Sequence, residues 1–214
     1  MDSVTLTVES LSKEFNRRVV FADISFILAE RGSLAVTGKN GSGKSTLAKI
    51  LCGLLSASKG TVTYSVAGKQ IDPALIFRHV GLVSPYISMY DEFSGLENLS
   101  LYSEIRNLSG DSVADQERLL KQFGIFERRH SEVRTYSSGM KQRLKYAAAL
   151  LHQPPVLILD EPTANLDEEG AATVRALMRT QAEQGILIIA TNDKDDLSFA
   201  QRVIDLNGRS APTR

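Results

Sequence analysis

The sequence predicts an α/β protein whose mostly parallel sheet is covered by helices on both faces. Short apolar segments typical of buried strands alternate with segments that repeat apolar residues at helical spacing. An alternating pattern near the N-terminus predicts an antiparallel β subdomain, and a long stretch in the middle predicts a helical insertion. Hydrophobic residues make up 43% of the 214 residues, which is enough for one large domain with a sizeable core.

The N-terminal segment has the pattern of antiparallel strands. Val4, Leu6 and Val8 alternate with polar residues, which predicts a half-buried strand. Val19–Phe21 and Ile24–Leu28 predict two further strands. An antiparallel β layer is therefore expected before the central sheet.

The next strand is followed by a loop with a specific chemistry. Ser33–Thr37 is a short apolar run bounded by glycines, and the residues after it match G-x-x-x-x-G-K-[ST]. Glycines let the backbone approach a ligand closely, and successive N–H groups at a helix start bind phosphate. The sequence therefore predicts a P-loop NTPase core that binds a nucleoside triphosphate through Gly38, Lys39, Asn40, Gly41, Ser42, Gly43, Lys44, Ser45 and Thr46.

Two side chains of this loop have predicted roles, and a helix is predicted to follow it. In this motif Lys44 reaches the β- and γ-phosphates, and the Ser45 hydroxyl ligates Mg²⁺. The helix is indicated by apolar residues at helical spacing, which an ordinary Gly/Ser-rich turn would lack. They are Leu47, Ile50, Leu51 and Leu54, and the one cysteine, Cys52, is expected to pack beside them.

The middle of the chain changes its pattern. Gly60–Val66 and Val80–Val83 predict two more strands, whereas from about residue 86 to about 151 apolar residues recur at helical spacing. The prediction is a single domain, 1–214, in which a helical subdomain of about 86–151 is inserted into a core of about 1–85 and 152–214.

The α/β alternation then resumes. Val156–Leu159 and Ile186–Ala190 predict buried strands, with a helix at Glu168–Gln184 between them and a last strand at Val203–Leu206. Side chains at the carboxyl ends of parallel strands face the ligand crevice. The first of these strands ends in Asp160, expected to hold Mg²⁺ opposite Ser45, and Glu161, expected to polarise the attacking water.

Three ordered motifs together resemble those of ABC ATPases. They are the phosphate loop, the segment 136–143 (YSSGMKQR), which is similar to the family's signature, and the segment 160–167 (DEPTANLD), which is similar to its Walker B strand and D-loop. The resemblance extends from Leu11 to about Asp205. It implies that two such domains, as a homodimer or heterodimer, associate head to tail and enclose two ATP molecules.

The resemblance also implies roles for individual residues. Ser137, Ser138 and Gly139 would contact the γ-phosphate held by the other subunit, and Asp167 would communicate across the dimer. Phe15 matches the family's adenine-stacking aromatic, although its spacing alone is equally compatible with an ordinary core residue.

Some positions depart from the family's pattern. Pro85 stands where the family has a glutamine, and proline offers neither a side-chain oxygen nor an N–H. Asn192 stands where the family has a histidine that contacts the γ-phosphate; an asparagine amide can donate a hydrogen bond but cannot carry positive charge or exchange a proton. The signature itself is altered at Tyr136, Ser138 and Met140. Because Lys44, Ser45, Asp160 and Glu161 are all present, hydrolysis is expected to persist at a reduced rate.

Composition limits the remaining function classes. Lys and Arg together number 25 and so do Asp and Glu, so no global basic field favours nucleic-acid binding. No apolar run approaches the roughly 18–20 residues that span a bilayer. The expected function is therefore the ATP-hydrolysing subunit of an ABC transporter, cytoplasmic and attached to the membrane through separate integral membrane permease subunits.

Two alternatives to this function stay open. One is an ABC module that binds ATP and dimerises with little or no turnover, which the changes at Pro85 and Asn192 would favour. The other is a soluble ABC protein outside transport. A single cassette and the absence of a predicted long coiled coil count against the second alternative.

Overall fold

The computed structural model describes residues 3–108 and 112–207. Residues 1–2, 109–111 and 208–214, which the predicted domain of 1–214 includes, lie outside the described residues. The strands are β1 (Val4–Phe15), β2 (Arg18–Ala29), β3 (Ser33–Thr37), β4 (Lys59–Val66), β5 (Lys69–Gln70), β6 (Val80–Val83), β7 (Val156–Asp160), β8 (Ile186–Ala190) and β9 (Arg202–Asp205). The α-helices are α1 (Lys44–Leu51), α2 (Gly95–Arg106), α3 (Val113–Gln122), α4 (Ser138–Leu150), α5 (Glu168–Gln184) and α6 (Lys194–Leu197).

The central sheet confirms the predicted fold class. Its strand order is β6-β7-β8-β3-β9, and each neighbouring pair is parallel. Alternate residues of β7 enter two different cores: Ile158 packs in the cluster with α1, and Leu157 packs in the cluster with α4 and α5. Because both faces of the sheet are covered, its inner strands β7 and β8 are almost continuously apolar rather than alternating.

The first strands form the expected antiparallel sheet, with one correction. The sheet has the order β2-β1-β4-β5. The prediction of two separate strands at Val19–Phe21 and Ile24–Leu28 was wrong, because β2 runs through both. Asp23 adopts a φ of 55°, and the register against β1 shifts on either side of Leu11. Such bulges absorb an irregular residue without ending a strand.

The helix after the phosphate loop is shorter than its apolar pattern indicates. Helix α1 ends at Leu51, and Gly53, with a φ of 77°, turns the chain away. Leu54 was expected on the buried face of the helix; it lies beyond the helix and is 68% exposed, so that prediction was wrong. Cys52 packs partly buried against the core, as expected.

Helices α2, α3 and α4 all lie between β6 and β7 in the chain and pack against one another. Their starts are well specified by sequence. Ser94 and Glu97 form a reciprocal capping box at α2, and Ser112 and Asp115 form one at α3. Within the described residues, no helix combines the length and apolar character needed to cross a membrane.

Candidate functional site

The candidate site is a pocket of about 900 Å³ where the phosphate loop meets the antiparallel sheet. This volume lies in the range of about 300–1,000 Å³ that is usual for small-molecule sites. Its lining includes predicted site residues from both halves of the chain: Phe15, Lys39, Asn40, Gly41, Ser42, Gly43, Lys44, Ser45, Thr46 and Glu161.

The loop has the shape of an anion cradle. It runs from Gly38 into the first turn of α1, so its N–H groups and the helix N-terminus point to the same place. Gly43 has a φ of 105°, and a Cβ there would lie 2.5 Å from Val20 Cγ1, so no other residue fits without strain. The Ser42 hydroxyl is buried and has no hydrogen-bond partner among the described residues, which is what a ligand-binding loop would leave.

The lysine of the loop is held toward the carboxylates. Lys44 is 7% exposed, and its Nζ donates a 2.8 Å hydrogen bond to the Gly38 carbonyl. Nζ also lies 3.7 Å from Glu161 Oε1. The ammonium group is thus desolvated and directed into the site, where it can bind phosphate oxygens as a point charge.

Asp160 and Ser45 come together as the sequence predicts. Asp160 is 1% exposed, and its Oδ1 accepts a 3.1 Å hydrogen bond from the Ser45 hydroxyl. A buried carboxylate beside a hydroxyl is a set of hard oxygen ligands of the kind that suits Mg²⁺. These two residues would hold the ion, and the ion would supply charge for the phosphate oxygens.

Ser84 is a further member of this site, and its contact depends on the pairing of β6 with β7. It is buried at the end of β6, and its hydroxyl donates a 3.0 Å hydrogen bond to Asp160 Oδ2. Both carboxylate oxygens of Asp160 are therefore oriented by serines. The neighbouring Pro85 and Tyr86 line the pocket, and the Tyr86 ring lies 3.9 Å from Lys49 Nζ.

Glu161 occupies a constrained position beside Asp160. Its backbone has a φ of 51°, which is uncommon for a residue with a side chain. Burial, opposed by the charge of Lys44, raises the pKa of its carboxyl group. The Thr191 hydroxyl lies 3.5 Å from Oε2 and favours the ionised form. A carboxylate with a raised pKa is suited to accept a proton from water.

Asn192 is placed at the edge of the phosphate loop. Its Oδ1 accepts hydrogen bonds from the Thr37 hydroxyl at 3.0 Å and from the Gly38 N–H at 3.1 Å. The side chain thus connects the end of β8 to the start of the loop. The sequence identified the position but not this contact, because it depends on how β3 and β8 pair.

Phe15 faces the pocket rather than the core. It is 47% exposed, so the alternative of an ordinary core residue was wrong. Lys13 Nζ lies 4.6 Å from the centroid of its ring. An exposed ring at the mouth of the site is available for stacking.

The signature segment lies outside this pocket lining. Ser137 caps α4 by accepting a hydrogen bond from the Met140 N–H at 3.2 Å, and Ser138 and Gly139 form the first turn. Tyr136, where the family has leucine, is buried; its hydroxyl donates to the Arg128 carbonyl at 2.7 Å. That hydroxyl fills the space beside Gly95, where a Cβ would lie 2.5 Å from it.

Asp167 also lies outside the pocket. It caps α5 by accepting a hydrogen bond from the Gly170 N–H at 2.9 Å, and it pairs with Arg143 of α4. These two partners, the Gly170 N–H first, lower the pKa of its carboxyl group. In this chain Asp167 therefore connects the helix of the signature to the helix after Walker B.

The fold and this pocket define an α/β protein of the phosphate-loop, nucleotide-binding class. The chain belongs to the ABC transporter family, whose profile matches residues 21–164. It is 32% identical over 207 residues to the arginine transport ATP-binding protein ArtM of Bacillus subtilis, covering 94% of this chain and 85% of that protein.

Other comparisons agree with this assignment. The uncharacterized ABC transporter ATP-binding protein YhcH of B. subtilis is 34% identical over 190 residues, which cover 87% of this chain and 61% of that protein. The chain thus spans about three fifths of the length of the first such relatives. A solved structure of an ATP-binding subunit of an ABC transporter superposes with a TM-score of 0.80 at 28% identity, covering 94% of this chain and 85% of that one.

Proposed function

We propose that the chain is the ATP-binding and ATP-hydrolysing subunit of an ABC transporter. The observation that supports this most is the meeting of Lys44, Ser45, Asp160 and Glu161 at one end of the parallel sheet. Phosphoryl transfer needs little beyond these parts, since it is catalysed mainly by positioning and charge stabilisation.

The proposed roles follow from the geometry. Residues 38–46 bind the phosphates of ATP, Phe15 stacks on the adenine, and Ser45 and Asp160 hold Mg²⁺, which supplies positive charge to the phosphate oxygens. Glu161, aligned by Lys44 and Thr191, accepts a proton from the attacking water. The Asn192 side-chain oxygen holds the start of the loop in place. Its amide NH₂ group donates a hydrogen bond to the γ-phosphate.

The proposed working unit is a dimer of such domains. Ser137, Ser138 and Gly139 begin a helix whose N-terminus is exposed, so its N–H groups are free to meet an anion from outside the chain. A second subunit placed head to tail would bring them to the γ-phosphate and close the pocket. ATP then stabilises the closed dimer, and hydrolysis of ATP allows the two subunits to separate.

Transport itself requires integral membrane permease subunits on separate chains. We assign the cytoplasmic face of the membrane as the location, and the helical subdomain of about 86–151, with the loop 85–91, as the docking side. The core of about 1–85 and 152–214 would carry the nucleotide.

The test is steady-state ATP hydrolysis by the purified chain beside Glu161→Gln, with gel filtration in the presence and absence of ATP. The expected result is Mg²⁺-dependent turnover in the parent, its loss in Glu161→Gln, and an ATP-dependent dimer of that variant. Glu104→Gln, an exposed carboxylate of α2, serves as the matched control and should hydrolyse ATP like the parent.

A different outcome would favour the second function class. ATP-dependent dimerisation without turnover, even with the permease present, would contradict hydrolysis and support a nucleotide-gated module. One observation favours such a module. The Asn192 side-chain oxygen is bonded to Thr37 and Gly38, which is a structural role and not a catalytic one.

A further inference from the structure

The segment that follows β9 lies against the start of the phosphate loop. Strand β9 pairs in parallel with β3, and their register places Asp205 beside Thr37. The Leu206 N–H then donates a 2.9 Å hydrogen bond to the Thr37 carbonyl, and Leu206 and Asn207 both line the candidate pocket. The chain therefore leaves the central sheet at the place where the loop begins.

Asn207 is hydrogen-bonded to the loop itself. Its Oδ1 accepts a 3.0 Å hydrogen bond from the Lys39 N–H. The preceding N–H of the loop, that of Gly38, donates to Asn192 Oδ1 at 3.1 Å. Two successive N–H groups at the entrance of the loop thus bind asparagine oxygens, and phosphate is left to the N–H groups further along.

The Asn207 side chain is held in one orientation although it is exposed. Its Nδ2 donates to Asp205 Oδ1 at 3.0 Å, and its backbone N–H donates to the same oxygen at 2.9 Å. Because the amide has a donor end and an acceptor end, the contact with the Asp205 carboxylate turns Oδ1 toward the Lys39 N–H. An exposed side chain adds little to core packing, so its contact with the loop is what it contributes.

The loop has a physical need for such a contact. Gly38, Gly41 and Gly43 all have positive φ values, and glycine loses more conformational freedom on ordering than any other residue. A loop that is already ordered before the ligand arrives has less entropy to lose on binding. A hydrogen bond at the entrance of the loop therefore increases its affinity for phosphate without touching the ligand.

We infer that Asn207 is a positioning residue of the nucleotide site, which holds the phosphate loop in its binding conformation from the end of β9. The inference rests on the proposed function for the identity of the ligand, ATP. Because Asn207 also lines the pocket, a direct contact with the base or the ribose is the competing explanation, and the experiment separates the two.

Equilibrium binding of two ligands makes this separation. Asn207→Ala should weaken binding of a fluorescent ATP analogue about fivefold, the factor that corresponds to one lost hydrogen bond. Inorganic tripolyphosphate with Mg²⁺, which has no base or ribose, displaces this analogue and should lose affinity by the same factor. Val203→Ala, at an exposed residue of β9 outside the pocket lining, is the control and should match the parent. Unchanged tripolyphosphate affinity in Asn207→Ala would overturn the inference.

Additivity with Phe15 is a second check that uses the ATP analogue alone. The losses caused by Phe15→Ala and Asn207→Ala should multiply in the double variant, because the ring and the loop bind different parts of the nucleotide. A double variant that binds no more weakly than Phe15→Ala would place Asn207 at the base and contradict a role in holding the loop.

Asp205 provides a test of how Asn207 is held. Asp205→Asn and Asp205→Ala both remove the charge, but only Asp205→Asn keeps an oxygen that can accept from Asn207. The ATP analogue should bind about twofold more weakly to Asp205→Ala than to Asp205→Asn, and this difference should shrink in the Asn207→Ala background. Equal binding by the two variants, or a difference that persists undiminished in that background, would contradict the inference.

These measurements need no hydrolysis, so they distinguish the inference from the proposed function. A parent chain that binds ATP and loses affinity for both ligands in Asn207→Ala, but does not hydrolyse ATP, would count against the proposed function alone. A parent that hydrolyses ATP and whose affinities are unchanged by Asn207→Ala would count against the inference alone.

Discussion

Ser84 and Asp160, 76 positions apart in the chain, are joined by a 3.0 Å hydrogen bond from the serine hydroxyl to the carboxylate. Because β6 and β7 are paired in parallel, their carboxyl ends lie side by side and bring the two residues together. Ser45 binds the other oxygen of the same carboxylate. Ser84 therefore supplies an oriented oxygen next to the proposed metal site. The neighbouring Pro85 has no side-chain oxygen to offer there.

Ser84→Ala should lower the ATPase rate and the apparent affinity for Mg²⁺ by about 10- to 100-fold, the usual effect of losing a residue that orients a metal ligand. ATPase rate measured against Mg²⁺ concentration checks this. Tyr86→Phe is the control, because Tyr86 is exposed and its ring lies on Lys49. If both variants behaved like the parent, Ser84 would be only a packed residue.

Thr191→Val should move the acid limb of the ATPase pH profile to higher pH. The Thr191 hydroxyl stabilises the ionised form of Glu161, so its removal raises further a carboxyl pKa that burial already raises. Glu161 must be ionised to accept a proton, and a higher pKa therefore requires a higher pH for activity. Thr191→Ser keeps the hydroxyl and should retain the parent profile; identical profiles in all three proteins would contradict an influence of Thr191 on the pKa of Glu161.

Asn192→Ala should weaken ATP and ADP binding alike, because the side chain is bonded to Thr37 and Gly38 and so positions the whole loop. Two hydrogen bonds worth about 0.5–1.5 kcal/mol each predict a loss of about tenfold in affinity. Equilibrium binding of fluorescent ATP and ADP analogues measures both values. A loss confined to ATP would mean that Asn192 acts through the γ-phosphate alone and not by positioning the loop.

Phe15→Ala should weaken nucleotide binding about tenfold, since stacking of a base on an aromatic ring contributes about 1–3 kcal/mol. The same measurement with Phe15→Tyr should give near-parent affinity. Val19→Ala, at another exposed residue of the same pocket lining, controls for lost apolar area. Equal losses for Phe15→Ala and Val19→Ala would contradict stacking.

Much of the site could be predicted because most of its residues lie in two short contiguous segments. The phosphate loop and the strand ending in Asp160 and Glu161 each carry their own residue types and their own local context. Placing Ser45 against Asp160 required only the rule that parallel strands share an edge. The hydrogen bond between Ser45 and Asp160 agrees with that expectation.

What the sequence could not give depends on pairing between distant segments. The Ser84 contact requires the neighbour relation of β6 and β7, and the Asn192 contact requires that of β8 and β3. Leu54 had the right spacing for a buried helix face, but the αL turn at Gly53 ended the helix first. Periodicity describes a face only as long as the helix continues.

The hydroxyl of Tyr136 occupies the space that a side chain at position 95 would need. The residue at 136 therefore limits which residue fits at 95. While tyrosine stands at 136, glycine is the only residue that position 95 can accept without displacing the hydroxyl from Arg128. A leucine at 136 would carry no hydroxyl into that space, so the need for glycine at 95 follows from the tyrosine at 136.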